Sequence, residues 1–374
     1  LSWKHLFSRA LSADPERLHF AAHSHHLWPD ASFDGQVEAW QDAARLADHK
    51  WDKVMGEVWA EAQGHVAREL NLPDPETIVF APSTHDFLVR IVSAIAARPV
   101  RVLATDGEFH SFRRQMARWV EAGQVQLDLV SPSELAAAAW RGGHDLIFAS
   151  HVLFNSGTVL SDLELLGALA RPDGPWVVID GYHGFMAVPT DLAHGASHLF
   201  YLAGGYKYAM AGEGVCFLHA PPGFAPRPTV TGWYAAFDDL HLPPGAVGYA
   251  LDARRFLGST FDPSGLYRFN AVQRMLDAEG LSTTAISDHV TRLQRRLLSA
   301  TPMAGLELLN PLIDGPRARF LAFEGARAGA LHAALTGRGV VTDLRGDVIR
   351  IGFGLYHDDD DVDRLSRIVA ECSA

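Results

Sequence analysis

The stretch PWVVIDGYHGFMAVPTDLAHGASHLFYLAGGYKYAMAGEGVCFLHA, residues 175–220, decides the fold. Two apolar runs, residues 176–179 and 198–203, read as buried strands. The first delivers Asp180 and then His183, and the second leads into a Gly-rich loop where Lys207 stands between Tyr206 and Tyr208. Lysine is scarce elsewhere. Lys4, Lys50 and Lys53 are the only others, so arginine carries nearly all the basic charge. A lysine placed among Gly, Tyr, Ala and Met in such a chain has a task that arginine cannot perform. A desolvated amine sheds its proton and becomes a neutral nucleophile, whereas a guanidinium stays charged.

Around this stretch, short apolar runs alternate with helical patterns. TIVFA, VRVLAT, VQLDLV, DLIFAS, PWVVID, HLFYLA and GVCFLHA are separated by helices predicted from Thr84, Phe109, Pro132 and Ser161. The alternation predicts an α/β fold with a mostly parallel, seven-stranded sheet covered on both faces. Ligand groups collect at the carboxyl edge of such a sheet. Four strand ends carry suitable residues: Pro82 to His85, Glu108 to Ser111, His151 to Gly157, and Asp180 to His183. After a Pro- and Gly-rich excursion over residues 221–265, two helical runs and the strand-like ARFLAFE, GVVTD and VIRIGFG form a smaller α/β domain. The expected division is an N-terminal segment, 1–30, joining the small domain and active site, a large domain, 31–255, and a small domain, 256–374.

Residues 36–70 read as amphipathic helix with their aromatics in the core. His23, His25 and His26 lack an acidic partner and regular spacing, so the segment reads as a loop rather than a metal site. Asp358 to Asp361 open the last helix, where acids complement the macrodipole, and no metal is expected there either.

A net charge of −12 offers no basic tract for nucleic acid. Two distant cysteines, Cys216 and Cys372, give no disulfide framework and suit a reducing compartment. The N-terminal LSWKHLFSRALSADPE is not patterned as a signal peptide, and no apolar run reaches membrane-spanning length. These readings together predict a cytoplasmic protein without membrane or nucleic-acid partners.

A lysine poised to form a Schiff base, a carboxylate and a phosphate cradle together describe pyridoxal 5′-phosphate. Asp180 suits the ring nitrogen. Ser83 and Thr84, opening a helix, suit the phosphate, and Phe109 suits a stacking position.

The residues VVIDGYHGFMAVPTDL, FYLAGGYKYAMAGEG and TGW resemble the cofactor region of kynureninases, within the class V aminotransferase group of fold type I pyridoxal-phosphate enzymes. PSTHDFL, EFHSFRRQ, SHVLFNSG, RRFLGST and GVVTDLRGDVIRIGFGLYH extend the resemblance from about residue 20 to the C-terminus. It implies that Lys207 carries the cofactor, that Asp180 meets the pyridine nitrogen, and that His183 lies on the ring hydroxyl side. It further implies that Ser83, Thr84 and Tyr206 hold the phosphate and that Phe109 stacks on the ring. Trp233 and the turn Gly258-Ser259-Thr260 match positions that reach the partner subunit's cofactor, which implies a homodimer with shared sites. Arg350 matches the arginine that clamps a substrate α-carboxylate, and Ser24 falls in the loop expected to meet the substrate.

The chain departs from kynureninases in lacking an acid shortly after Phe109 and in carrying Leu153 and Phe154 where Asn and Tyr are usual. An Asn-Pro-Pro element near Gly258 is also missing. The expected activity is therefore class V transamination of a small-molecule amino acid. Kynureninase-like hydrolysis of a 3-acylalanine and non-catalytic cofactor binding are the alternatives.

Overall fold

Apolar runs too short for helices, each buried on both faces, set the architecture. The computed structural model describes residues 2–373 apart from Asp162, Leu240, Pro244 and Asp314. Its strands, in chain order, are β1 (Leu18–His19), β2 (Ile78–Ala81), β3 (Val100–Thr105), β4 (Val125–Val130), β5 (Leu146–Ser150), β6 (Trp176–Asp180), β7 (Leu199–Gly204), β8 (Cys216–His219), β9 (Glu307–Leu308), β10 (Phe320–Glu324), β11 (Val340–Val341), β12 (Asp343–Arg345) and β13 (Val348–Gly352).

Seven of these form the main sheet in the order β2-β8-β7-β6-β5-β3-β4. β3 to β7 run parallel, and β8 is antiparallel to both β7 and β2. The protein is thus α/β with a mostly parallel seven-stranded sheet, as the alternation predicts. β5, β7 and β8 are buried along their whole length, which explains their uninterrupted apolar sequences, whereas edge strand β4 has the mixed sequence VQLDLV and is largely exposed. Helices Thr84–Ala94 and His110–Glu121 follow β2 and β3, so their starts lie at the carboxyl edge.

A second sheet, β12-β13-β10-β9, is antiparallel, with Asp343 opposite Arg350. The N-terminal segment is stitched to this half of the chain. β1 pairs in parallel with β11, and Ala21 bridges to Gly352.

The predicted single helix over residues 36–70 is two helices, Asp30–Leu46 and Trp59–Leu70. Ala47 adopts φ 51° and ψ −123°, which breaks the first, and a short helix and a π-turn, Val54–Val58, lead into the second. The first helix buries Ser32, Gly35 and Asp42 against helix Ser264–Ala278. A Cβ on Gly35 would lie 2.6 Å from the Tyr267 carbonyl oxygen, so only glycine permits this approach. With that face inward, Trp40 points out and is 71% exposed, contrary to the expectation that it is core. Trp59 is buried as expected. Among the described residues, no helix is long and apolar enough to cross a membrane.

Several histidines are buried in neutral form. His19 Nε2 donates to the His25 carbonyl (2.8 Å), His26 Nδ1 to the Leu27 carbonyl (2.7 Å), and His219 Nε2 to the Ala196 carbonyl (2.9 Å). Burial lowers His19 and His219 to about 4 and His26 to about 3. Unfolded histidine titrates near 6.5, so below that pH the unfolded chain binds protons that the folded one refuses. The share of stability that these histidines hold should therefore be constant above about pH 7 and be lost from about pH 6.5 towards 4. Thermal melts of wild type and His219→Gln across this range test the expectation: the margin of wild type over the variant should shrink as the pH falls, and a margin unchanged between pH 7.5 and 5 would contradict it.

Candidate functional site

The parallel pairing of β6 with β7 brings Asp180 opposite Leu202, five residues before Lys207, at the carboxyl edge of the sheet. After Asp180 the chain turns tightly. Tyr182 N–H donates to Asp180 Oδ1 (2.9 Å), and Gly184 N–H donates to the Gly181 carbonyl. Gly181 is required there, because a Cβ would lie 2.1 Å from the Tyr201 ring. This turn aims His183 at Lys207. Lys207 Nζ lies 2.5 Å from His183 Nε2 and donates to the His23 carbonyl at 2.7 Å.

Proton affinities in this cluster are displaced. Burial first, and the Arg350 charge second, lower Lys207 to about 7. Burial pushes Asp180 up to about 6 despite its bond from Tyr182 and the nearby amine. His183 is held well below the usual imidazole range by burial and by Lys207 and Arg350, so it accepts from the amine as a neutral base. Near neutral pH the amine is therefore close to half deprotonated, a state that an exposed lysine does not reach.

Arg350 is buried on β13. Its Nη2 donates to Asp343 Oδ2 on the paired strand (2.6 Å), and its Nη1 donates to the Phe154 carbonyl. Its Nε has no partner, which leaves a buried donor to be satisfied by a ligand.

Ser24, Ser83, Thr84, Phe109, Asp180, His183, Tyr206, Lys207 and Arg350 line one cavity of about 510 Å³. The sequence-predicted residues thus converge with three exceptions. Trp233 is 46% exposed, and Ser259 and Thr260 are also exposed, outside the cavity. They stay together on one surface, where Tyr234 N–H donates to the Gly258 carbonyl at 3.1 Å.

Ser83 caps helix Thr84–Ala94, and its hydroxyl is engaged with Asp86 (2.9 Å), so Thr84 is the freer of the two for an anion. Tyr206 Oη lies 3.2 Å from His25 Nδ1. Phe109 meets Phe154 edge to face, 5.3 Å between centroids.

Four participants escape a sequence reading. His23 matters through its backbone carbonyl, which no side-chain pattern announces. Asp343 and Arg345 belong to the hairpin β12–β13, whose seven-residue offset from Asp343 to Arg350 is visible in DLRGDVIR only once the hairpin is known. Glu108 is completely buried, accepts from Thr105 Oγ1 (2.5 Å) and Ser150 Oγ (2.6 Å), and is pushed up to about 7 by burial. Its signal was an acid three residues past the end of β3, at a strand end the sequence already marks, though its burial is not visible there. Cys216 also reaches the cavity wall, but burial pushes its thiol up to about 12, so it is held protonated and unreactive.

These residues fit pyridoxal 5′-phosphate. Asp180 receives one backbone bond and can accept a second donor from a ring nitrogen, Lys207 is an amine of lowered proton affinity, and Thr84 opens an eleven-residue helix at the cavity wall.

Comparison with known proteins agrees with this geometry. The family model for the kynureninase C-terminal domain matches residues 284–369. The chain is 28% identical over 362 residues to isopenicillin N epimerase of Streptomyces clavuligerus, covering 86% of this chain and 87% of that protein. It is 26% identical over 249 residues to kynureninase of Pseudomonas fluorescens, covering 64% of this chain and 58% of that one. Among solved structures, a cysteine desulfurase from Thermococcus onnurineus NA1 aligns with a TM-score of 0.81 at 16% identity, covering 99% of this chain and 98% of that one. The cystine C-S lyase C-DES in complex with cysteine persulfide aligns at 0.80 and 17% identity, covering 98% and 99%. These matches support a class V, fold type I pyridoxal-phosphate enzyme whose residues 284–369 are similar to the kynureninase C-terminal domain.

Proposed function

We propose that the protein acts on the α-amino group of an amino acid through Lys207 and that its reaction is transamination. The observation that carries this reading is an amine lowered to about 7, in contact with His183 and facing the same cavity as Asp180 and Arg350. When bound, pyridoxal 5′-phosphate supplies an aldehyde that condenses with amines and a ring that takes up an electron pair.

Lys207 would hold that aldehyde through Nζ, and the same Nζ, when free, would take up and return a proton. An amine lowered to about 7 suits both roles at neutral pH. Asp180 would meet the ring nitrogen, His183 orients the Lys207 amine, and Phe109 would cover the ring face. Thr84 with Ser83 and Tyr206 would hold the phosphate. Arg350 uses its unpartnered Nε on the α-carboxylate, and Ser24 closes the substrate side.

Kynureninase-like hydrolysis is the second reading, favoured by the family match over residues 284–369. Phe154 weighs against it: it packs on Phe109 where kynureninases usually carry Tyr. The same proposal includes the division into 1–30, 31–255 and 256–374, a cytoplasmic location, and a homodimer. Exposed Trp233, Ser259 and Thr260 support the last as a surface offered to a second copy.

Wild-type protein mixed with pyridoxal 5′-phosphate should develop the visible absorbance band of lysine-bound cofactor, and Lys207→Ala should lack it; a band in the variant would refute the assignment. Amino transfer to a 2-oxo acid should then be detectable, whereas anthranilate release from kynurenine or inversion at Cα would replace transamination by hydrolysis or epimerisation. In cofactor-free protein, modification of Lys207 by an amine-reactive reagent should be half-maximal near pH 7, because the amine is neutral above its lowered pKa; a midpoint near 10 would contradict the burial argument. Asp343→Ala strands Arg350 as a buried charge and should cost about 3 kcal/mol of stability in a denaturant titration.

A further inference from the structure

Arg350 is not the only guanidinium at the cavity. Arg345 also lines it and is 44% exposed, so its charge faces the open part of the mouth. The two lie on one face of the β12–β13 hairpin. Asp343 pairs with Arg350 and Arg345 with Val348, so Arg345 and Arg350 are diagonal neighbours, about 7–8 Å apart for such positions. Asp343 sits between them, its Oδ2 taken by Arg350 (2.6 Å) and its Oδ1 by Arg345 (3.1 Å).

One carboxylate is thus divided between two cations. A guanidinium has five N–H donors, and Arg345 uses its own on Asp343 Oδ1 and the Leu344 carbonyl, leaving donors over for a ligand. Glu213, an acid on the same cavity wall, lies by Tyr206, whose phenol it helps keep protonated. The hairpin end of the cavity thus presents two guanidinium groups that share one aspartate, Arg350 with its Nε unpartnered and Arg345 with donors to spare.

We propose that Arg345 is a second anion-binding residue, and that the substrate is a dicarboxylic α-amino acid of aspartate or glutamate size, with the matching 2-oxo diacid as the keto partner. The inference rests on the reading of Lys207 as the reacting amine and of Arg350 as the α-carboxylate clamp. Asp343 ties both guanidinium groups to the same cavity wall, one for each substrate carboxylate.

The test uses the holoenzyme with aspartate and glutamate against asparagine and glutamine, which match them in size and lack the second charge. The rate of change of the cofactor band should be at least tenfold greater for the diacids. Arg345→Gln should collapse that ratio of diacid to amide rates to within about twofold. Arg345→Lys, which keeps the charge without the fork, should restore part of it. Binding of glutarate against butyrate, followed by thermal shift, gives a readout independent of turnover: glutarate should bind at least tenfold tighter to wild type and no tighter to Arg345→Gln. A band that responds equally to amides and diacids, or an Arg345→Gln variant that slows both alike, overturns the second anion site alone. A band that responds to no amino acid overturns the Lys207 reading and this inference with it.

Discussion

Everything at this site depends on keeping one amine out of water while leaving it something to hold. A lysine moved into a poorly hydrated cavity must either find an anion or give up its proton. Among the described residues, no carboxylate pairs directly with Lys207. Instead the protein provides a neutral imidazole and a peptide carbonyl, which steady the amine without restoring its proton affinity. Asp180 is close enough to matter electrostatically but is committed to the Tyr182 backbone. The same economy explains Arg350, whose positive charge opposes an ammonium more strongly than its partner Asp343 favours one. The result is an amine and a carboxylate whose proton affinities approach one another, a separation of roles set by environment rather than by residue type.

The sheet was legible because most of its strands are buried on both faces and hence apolar, edge strand β4 excepted. Lys207 stood out because arginine does the ordinary work of charge here, and Asp180 because an acid ends an apolar run. Other features were hidden for physical reasons. The break at Ala47 is a left-handed backbone residue with no glycine to mark it, and the inward face of the following contact is made by Gly35 rather than by Trp40, so apolar periodicity pointed the wrong way. Ser83 was recognisable as a hydroxyl at a helix start, but whether such a hydroxyl caps its own helix or meets an anion depends on Asp86 three residues on. His23 contributes a carbonyl, a group every residue possesses. Its importance arises only from where β1 and the bridge at Ala21 place the backbone.

The fold neighbours include cysteine desulfurases, yet the cysteine nearest the cavity is packed beneath Tyr182 and held as a thiol. Shared architecture thus accompanies a different local chemistry, and side chains at the strand ends, not the sheet, decide which reaction the ring undergoes.

The pairing of β1 with β11 also fixes when the site can exist. Its two partners are more than three hundred residues apart, and Arg350 and Gly352 come later still. During synthesis the main sheet can assemble with Lys207 already in the loop between β7 and β8, but the carbonyl that steadies its amine remains unanchored until β11 and β13 have been made. The surroundings of the reactive lysine are therefore completed only when residues 18–23 meet residues 340–352, and until then a nascent protein carries an unseated amine.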